Sequence, residues 1–422
     1  MRAIITAGGK GTRVASVDSG IPKPLLPVAG KPVLQHQIEC LKRQGIIDIT
    51  LTIGHLGEQI EAFFGNGDRF GVRIDYVRED VPLGTAGALY YLKGKIENDS
   101  FFLINGDLIF DVDLHRLMAF HKVHRAAATL FVHPNDHPYD SGLVIADASG
   151  CVRRWLTKED TRLWYPNCVN AGIHVLSTEL LENLTDLRKT DLDRDLLKPL
   201  ISTERVFAYR SPEYIKDMGT PERICEVERD LQSGMVNQKN LSRKQRAVFL
   251  DRDGTINRYV GFLRDVKDFT LLEGAVEAIR KLNQSGYLAI VVTNQPVIAR
   301  GEVTWDELTE IHWKMETLLG ENRAYIDDVF ICPHHPDRGF ENERAEYKID
   351  CACRKPRPGM LLDAAQKYNI DLSASWMIGD SERDVKAGRA AGCRTLRVEE
   401  RFSLLDAVNR ILFGEEQRRK HQ

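Results

Sequence analysis

The sequence lacks any apolar run long enough to cross a membrane, and its first residues lack the long apolar region and cleavage site of a signal peptide. It also lacks an excess of charge of either sign: 58 lysines and arginines stand against 61 aspartates and glutamates, a formal net charge of -3. This balance argues against general binding to nucleic acid or to a membrane surface, although a local basic pocket is compatible with it. We therefore expect a cytoplasmic protein whose partners are small molecules, and its oligomeric state stays open.

Cysteine is sparse, with 8 in 422 residues, and no internal repeat is evident. In the cytoplasm these cysteines should be reduced thiols or metal ligands. A chain of this length exceeds what one hydrophobic core usually organises, so two domains are expected. The stretch 233–246 is polar, basic and poor in apolar residues, which is typical of an exposed linker. We place an N-terminal domain at 1–237, a linker at 238–245 and a C-terminal domain at 246–422.

Strand-like runs alternate with amphipathic helices in the first domain. Residues 34–44 and 114–124 have helical apolar spacing, whereas 49–53 and 101–104 are strand-like. This alternation favours an α/β fold with a Rossmann-like mixed sheet. The histidines here have no carboxylate or cysteine partners at metal-binding spacing, so we expect them at the surface. They are His115, His121, His124, His133 and His137.

The first predicted strand, residues 3–7, runs directly into a glycine-rich loop containing Gly8, Gly9 and Gly11. Glycines let the backbone approach a ligand and present N–H groups to phosphate, and Arg13 adds a planar cation for the same anion. A tight turn is the alternative interpretation of such a loop. The flanking prolines of Lys23 restrict its backbone, which favours a cation aimed at a polyphosphate over an ordinary surface lysine.

In the second half, the apolar run 247–250 leads into Asp251 and Asp253. A continuous apolar run predicts a strand buried on both faces, and ligands bind at the carboxyl ends of such strands. One carboxylate can attack phosphorus, the other can move a proton, and together they can hold a hard cation. A surface turn with two capping aspartates is the alternative, but three matching segments follow.

The first half resembles the sugar-1-phosphate nucleotidyltransferases, whose signature Ala-Gly-Gly-x-Gly-Thr-Arg is followed by Pro-Lys-Pro. Its details are most similar to the mannose- and heptose-1-phosphate guanylyltransferases. The resemblance implies Mg²⁺-dependent transfer of a nucleotidyl group, and Thr157, where the family has Glu, leaves the sugar and the base open. The residues it implicates are Lys23 and Arg13 in catalysis, Gly8, Gly9, Gly11, Gly84, Thr85, Lys158 and Asn170 in substrate binding, and Asp107 and Asp217 in binding Mg²⁺.

The second half resembles the haloacid-dehalogenase-type phosphatases, and most of all the heptose 1,7-bisphosphate and histidinol-phosphate phosphatases. About 40 residues between the Asp-x-Asp motif and the next strand end leave no room for a large cap domain. The resemblance implies that Asp251 attacks phosphorus and that Asp253 is the acid and base. It assigns phosphate binding to Thr293, Asn294, Arg354 and Lys355, and Mg²⁺ binding to Asp251, Asp380 and the Asp253 carbonyl.

Two short pairs, Cys332-Pro-His334 and Cys351-Ala-Cys353, flank a long loop. Three thiolates and one imidazole suit a closed tetrahedral zinc site of structural type. A disulfide and chance pairing are the alternatives, and the expected compartment disfavours the disulfide. His335 falls outside the pair spacing and is expected to take no part.

Together the two resemblances predict a bifunctional enzyme of GDP-heptose biosynthesis. A phosphatase that removes the 7-phosphate of D-glycero-D-manno-heptose 1,7-bisphosphate leaves a sugar 1-phosphate, which a nucleotidyltransferase then requires. The alternative is a phosphatase for histidinol phosphate, or another small phosphate ester, fused to a hexose-1-phosphate nucleotidyltransferase. A third hypothesis makes the first half a non-catalytic sensor of nucleotide sugars.

Overall fold

The computed structural model describes residues 1–9, 20–157 and 159–419. The chain forms two compact units. The first comprises 1–133, 144–156 and 170–240, and the second comprises 134–143, 157–169 and 241–422. The second unit therefore includes two short segments from the first half of the sequence. The chain passes between units after Asn240, and the domain limits at 237 and 246 stay predictions.

The first unit is built mainly from short strands. Its strands are β1 Arg2–Thr6, β2 Pro27–Val28, β3 Lys31–Pro32, β4 Asp48–Ile53, β5 Arg73–Arg78, β6 Ser100–Asn105, β7 Leu108–Asp111, β8 Ala128–His133, β9 Leu143–Ala146, β10 Val152–Leu156, β11 Val169–Ser177, β12 Val206–Arg210 and β13 Tyr214–Asp217. Its α-helices are α1 Val33–Arg43, α2 Gly57–Phe64, α3 Leu114–Val123, α4 Lys198–Leu200, α5 Pro221–Gln232 and α6 Met235–Gln238.

Within the described residues, the main sheet of this unit has nine strands, with β10-β9-β11-β6-β1-β4-β5 in order, β8 also paired with β11, and β12 paired with β8. The pairs β1–β4, β1–β6 and β4–β5 are parallel, whereas β11 runs antiparallel to β6. The predicted mixed sheet is confirmed. Because β1 and β6 are parallel neighbours, the loops after both strands meet at one edge, where Gly106 N donates to Thr6 O at 2.9 Å.

The second unit is a doubly wound parallel sheet. Its strands are β14 Arg246–Leu250, β15 Tyr287–Asn294, β16 Asp328–Cys332, β17 Trp376–Gly379 and β18 Arg394–Arg397. Its helices are α7 Ala275–Asn283, α8 Pro296–Ala299, α9 Trp305–Glu321, α10 Gly359–Tyr368, α11 Glu382–Ala391 and α12 Leu404–Arg419. The order β16-β15-β14-β17-β18 puts β14 in the centre, and every pairing is parallel.

The central strand β14 shows why its sequence is apolar throughout. Val248 and Leu250 pack into the core on one face of the sheet, and Ala247 and Phe249 pack into the core on the other. All four are fully buried, and each large apolar side chain buried in this way contributes roughly 1.5–3 kcal/mol. At Asp251 the chain leaves this core, so the first polar side chain emerges at the carboxyl edge.

In the ranges that the structure describes, no helix combines the length and apolarity that crossing a membrane requires.

Candidate active sites and metal centre

The acidic site of the second unit gathers side chains from two strand ends and the first turn of α11. Ligand atoms of Asp251, Asp380 and Asp384 all lie within 4.8 Å of one another. Asp251 follows β14 and Asp380 follows β17, its parallel neighbour, which brings their carboxylates together. Three carboxylates in this arrangement offer the oxygen donors that Mg²⁺ prefers.

Lys355 balances this negative charge. Its Nζ lies 2.7 Å from Asp251 Oδ1 and 2.6 Å from Asp384 Oδ1, and its side chain is 2% exposed. Burial disfavours the charged ammonium, but the two carboxylates outweigh that effect and raise the pKa of Lys355. Burial raises the pKa of Asp251 to about 6, with Lys355 opposing the shift and the charge of Asp384 adding to it.

Asp253 lies in a different environment from Asp251, two residues away. Arg252 Nη2 donates to both of its carboxylate oxygens, at 3.0 and 2.8 Å. Asn257 Nδ2 and Gln295 Nε2 add donors at 3.0 and 2.9 Å. Although burial opposes the shift, these contacts, led by Arg252, lower the pKa of Asp253. Its carboxylate is thus held by donors, and metal binding through its backbone carbonyl stays a prediction.

Arg252 is itself fully buried and donates from Nη1 to His312 Nε2 at 3.0 Å. Burial, reinforced by the arginine charge, lowers the pKa of His312 to about 3, so its imidazole is neutral and can accept that bond. The residue after the Asp-x-Asp motif must be glycine. Gly254 has φ +80°, and a Cβ there would lie 2.2 Å from Asp380 Oδ2. The turn therefore leaves room for the carboxylate of the neighbouring strand end.

The predicted phosphate-binding residues lie around the same site. Asn294 and Lys355 exchange two hydrogen bonds of 3.0 Å between the amide side chain and the backbone, which fixes the lysine. Thr293 is buried, and its Oγ1 accepts from Gln295 Nε2 at 2.7 Å. With Arg354 these residues line a cavity of about 370 Å³ that also contains Asp251 and Asp380. Further lining residues are Tyr259, Phe262, Arg300, His335 and Arg383.

The four predicted zinc ligands form one cluster. Cys332 Sγ and Cys353 Sγ lie 3.5 and 3.2 Å from Cys351 Sγ, and His334 Nδ1 lies 3.3 Å from Cys353 Sγ. Tetrahedral bonds of about 2.3 Å require sulfur–sulfur separations of roughly 3.8 Å, so the cluster fits an ion after a small outward movement of its sulfur atoms. The interaction with Cys332, together with burial, raises the pKa of the Cys353 thiol. A bound dication would reverse that shift, because it stabilises thiolates.

In the first unit, the loop after β6 carries Asp107, whose Oδ2 lies 2.5 Å from Lys23 Nζ. The strands β7 and β13 pair so that Asp217 lies opposite Leu108, and Met218 N donates to Asp107 O at 2.8 Å. The backbones of Asp107 and Asp217, the two predicted magnesium ligands, therefore lie next to each other. Arg223 Nη1 pairs with Asp217 Oδ2 and limits its rotation. Metal binding by this pair stays a prediction.

The remaining predicted residues of the first unit occupy loops, except for Asn170, which lies at the start of β11. Gly8 and Gly9 follow β1, at the edge where Asp107 also lies. Thr85 Oγ1, next to Gly84, accepts from Leu192 N at 2.6 Å. Asn170 Oδ1 contacts His174 Nε2 at 3.2 Å. Gly11, Arg13 and Lys158 lie outside the described residues.

Sequence reasoning missed three contributors to the phosphatase site. Asp384 was given no role by the sequence, yet it contacts Lys355 and belongs to the acidic cluster. The signal for it was Ser381-x-x-Asp384, a capping box at the start of α11. Gln295 and Arg252 were also missed, although they are neighbours of motif residues in the sequence. No sequence pattern predicts that their side chains contact Asp253.

The surface assignment of His121 was wrong. Its side chain is buried, with Nε2 3.1 Å from Ser100 Oγ and Nδ1 2.9 Å from Thr129 Oγ1. Burial lowers its pKa to about 4. Its spacing from Leu117 and Met118 puts it on the apolar face of α3, which the helical pattern could have indicated.

Two parallel-strand edges, each with acidic residues beside a lysine, define a class: enzymes that act on phosphorus centres. Residues 2–234 match the model of the nucleotidyl transferase family, and residues 352–405 match the HAD-hydrolase-like family. The chain belongs to the nucleotidyl transferase family, and its C-terminal part belongs to the HAD-like phosphatases. It therefore combines a nucleotidyltransferase with a phosphatase.

Individual relatives match each part. The chain is 32% identical over 286 residues to mannose-1-phosphate guanylyltransferase of Mycobacterium tuberculosis, covering 65% of this chain and 79% of that protein. It is 43% identical over 145 residues to D-glycero-beta-D-manno-heptose-1,7-bisphosphate 7-phosphatase of Photorhabdus laumondii, covering 34% and 75%. A solved D,D-heptose 1,7-bisphosphate phosphatase from B. bronchiseptica, complexed with magnesium and phosphate, is 32% identical, with coverage of 40% and 99% and a TM-score of 0.36.

Proposed function

We propose that this chain converts D-glycero-D-manno-heptose 1,7-bisphosphate into GDP-heptose in two steps. The second unit removes the 7-phosphate, and the first unit transfers GMP from GTP to the resulting heptose 1-phosphate. One observation carries the proposal: a phosphatase part 43% identical to a heptose bisphosphate 7-phosphatase shares its chain with a relative of guanylyltransferases. The product of the first reaction belongs to the substrate class of the second.

In the phosphatase step, a carboxylate oxygen of Asp251 attacks the 7-phosphorus and forms an aspartyl-phosphate as the bond to the sugar oxygen breaks. The leaving oxygen takes a proton from Asp253. Water then attacks the aspartyl-phosphate, Asp253 accepts its proton, and inorganic phosphate leaves with both Asp251 oxygens restored. Lys355, held between Asp251 and Asp384, neutralises charge on the phosphoryl group throughout.

Asp253 is suited to both proton transfers by its contacts. Its donors fix the carboxylate, so it stays beside the leaving group after the first step. The lowered pKa favours its role as base towards water, and the proton it delivers first must be acquired as substrate binds. The open cavity with its arginine-bearing walls suits a sugar that carries a second phosphate.

In the transferase step, a phosphate oxygen of heptose 1-phosphate attacks the α-phosphorus of GTP, and pyrophosphate leaves. Lys23 supplies positive charge beside Asp107, and the glycines at the end of β1 offer backbone N–H groups to the triphosphate. Arg13 and Lys158 are proposed to bind the nucleotide and the sugar phosphate, respectively. This unit contributes to the reaction by positioning the two substrates and neutralising their charge, and it forms no covalent intermediate.

Three metal sites belong to the proposal. Asp251 and Asp380 would hold Mg²⁺ in the phosphatase, with Asp384 nearby, and Asp107 and Asp217 would hold it in the transferase. Bound there, Mg²⁺ would neutralise phosphate oxygens and orient them. Cys332, His334, Cys351 and Cys353 would hold structural zinc, since their spacing leaves no open position for a substrate.

A coupled assay tests the proposal. Purified chain is incubated with Mg²⁺, heptose 1,7-bisphosphate and each of the four nucleoside triphosphates in turn, while phosphate, pyrophosphate and nucleotide sugar are quantified. We expect phosphate release without nucleotide and GDP-heptose only with GTP. Mannose 1-phosphate, glucose 1-phosphate and histidinol phosphate serve as competing substrates. Faster turnover of histidinol phosphate, or of a hexose 1-phosphate, would replace the heptose assignment with the alternative fusion.

A further inference from the structure

A buried contact on α9 involves residues that precede this helix by more than a hundred positions in the sequence. Segments 134–143 and 157–169 without residue 158, here called the α9 pad, contact this helix, and both partners of each contact belong to the second unit. Tyr165 N donates to Thr317 Oγ1 at 3.0 Å, and Thr317 Oγ1 donates to Tyr165 O at 3.2 Å. Asn167 N donates to Glu316 Oε2 at 3.0 Å. Helix side chains thus satisfy backbone groups of the pad.

The contact is dry. Thr317 and Asn167 are each 1% exposed, Glu316 is 4% exposed and Tyr165 is 5% exposed. In such an environment, a backbone N–H or C=O without its partner costs the full desolvation of that group. The backbone at 165–167 is therefore held to one position by the two side chains, because no water can replace them.

The two segments of the pad are also tied to each other. Asn167 Nδ2 donates to Asn135 O at 2.6 Å, and Asn135 N donates to Asn167 Oδ1 at 2.9 Å. At the end of α9, a Cβ on Gly320 would lie 2.5 Å from Pro138 Cγ, so glycine permits the close approach of segment 134–143. The backbone of Gly320 is not in the left-handed region that favours glycine, so the close approach of Pro138 is the feature that calls for glycine here.

The pad leads directly into the sugar-binding part of the proposed transferase. Asn167 stands three residues before Asn170, and β11 begins between them at Val169. Asn170 is the predicted sugar contact, and its Oδ1 also accepts from Gly172 N at 3.4 Å. A shift of the chain at 165–167 must therefore move the start of β11, since three residues of extended chain cannot absorb it.

We propose that Glu316 and Thr317 are positioning residues for the sugar 1-phosphate in the transferase reaction. They hold residues 165–167, and through them the start of β11, without touching substrate. This inference rests on the proposed function, because it assigns a sugar-binding role to Asn170. It also explains why a helix of the phosphatase part carries a buried glutamate and threonine that the phosphatase chemistry does not use.

The test compares two substitutions at one position in the full-length protein. Thr317→Val keeps the shape and the similar helix propensity but removes the hydroxyl, whereas Thr317→Ser keeps the hydroxyl. For T317V we expect the KM for sugar 1-phosphate to rise about tenfold, as for one lost buried hydrogen-bonded pair. The KM for nucleotide and the kcat of phosphate release should stay within about twofold, and T317S should restore the sugar KM. Thr309→Val, on the same helix, is the matched control and should change neither activity.

Each other result overturns the inference. An unchanged sugar KM in T317V would mean that the contact does not position β11. A joint fall of both activities would mean that the threonine only supports the fold. Gly320→Ala provides a second route, since alanine favours the helix and disturbs only the approach of Pro138. It should raise the sugar KM as T317V does, and an unchanged KM would again contradict the proposal.

A measurement without substrate separates this inference from the proposed function. Hydrogen exchange should show faster exchange of the amides of Tyr165, Asn167 and residues 170–172 in T317V than in T317S or wild type. If wild type makes no nucleotide sugar, the proposed function fails, but the exchange experiment still decides whether α9 holds the start of β11. If exchange at 170–172 is the same in all three proteins, the inference fails regardless of activity.

Discussion

The acidic sites of the two units differ mainly in how far they are removed from water. In the second unit, the side chains of Asp251 and Asp384 are 14% and 1% exposed, and the lysine between them is 2% exposed. In the first unit, Asp107 and Asp217 are 31% and 37% exposed. Both sites pair carboxylates with a cation, but only one does so in a dry environment.

This difference connects structure to chemistry. A covalent nucleophile benefits from a dry pocket, because fixed charges act there without screening by solvent. A site that receives two polyanions and releases pyrophosphate has more to gain from an accessible edge with mobile cations. The burial of Asp251 also has a cost: its pKa is raised to about 6 even though Lys355 beside it acts in the opposite direction.

The largest expected effect separates the two activities. Asp251→Asn removes the proposed nucleophile and should lower phosphate release by about 10⁴-fold or more, while transfer of the nucleotidyl group to supplied sugar 1-phosphate stays within about twofold. Steady-state assays of both reactions on one preparation measure this. Substantial residual phosphatase activity in D251N would show that another group attacks phosphorus.

Asp107→Asn examines the accessible site in the same way. It removes one proposed Mg²⁺ ligand and the partner of Lys23, so we expect nucleotidyl transfer to fall by about 10²–10³-fold. Phosphate release should not change. Because Asp107 is partly exposed, its loss should cost no more than about 1 kcal/mol of stability. Glu58→Gln, a surface change on α2, is the control, and a D107N protein with full transferase activity would contradict the metal assignment.

Lys355→Met tests the buried charge balance through stability rather than rate. It leaves Asp251 and Asp384 without their cation, which should reduce the free energy of unfolding by about 3–5 kcal/mol. Lys281→Met removes only exposed contacts, the pair with Glu277 and a hydrogen bond to Asn409 Oδ1, and should cost less than about 1 kcal/mol. Denaturant midpoints of the metal-free proteins compare the two. Equal midpoints for the two variants would mean that Lys355 does not stabilise the folded protein through Asp251 and Asp384.

The smallest expected effect is a pH dependence. Burial lowers the pKa of His312 to about 3 in the folded chain, against an ordinary value near 6.5, so below pH 6.5 the unfolded chain binds a proton that the folded chain does not. The stability from this group is thus fully present above pH 6.5 and is lost as pH falls towards 3, by about 1.4 kcal/mol per pH unit. His312→Asn keeps an acceptor for Arg252 and should flatten the stability curve between pH 6 and 5. Parallel curves for variant and wild type would refute the assignment.

Much of the architecture was predictable because it depends on local patterns. The helices predicted at 34–44 and 114–124 are confirmed as α1 and α3, with ends shifted by one residue. The cysteine and histidine spacing predicted one metal-binding cluster, and its four ligand atoms lie together. The parallel sheet of the second unit is also confirmed. In each case the determining information lies within a few neighbouring residues.

The amino-acid sequence by itself determined which strand ends carry acid, which loops carry glycine and which side chains could bind a metal, since backbone geometry and apolar periodicity are local properties. Only the tertiary structure decided that Asp384 shares Lys355 with Asp251, that Arg252 and His312 support Asp253, and that segments 134–143 and 157–169 pack on α9. These outcomes depend on contacts between residues up to about 150 positions apart. Such contacts are selected by the packing of the whole unit, which no short stretch of sequence encodes.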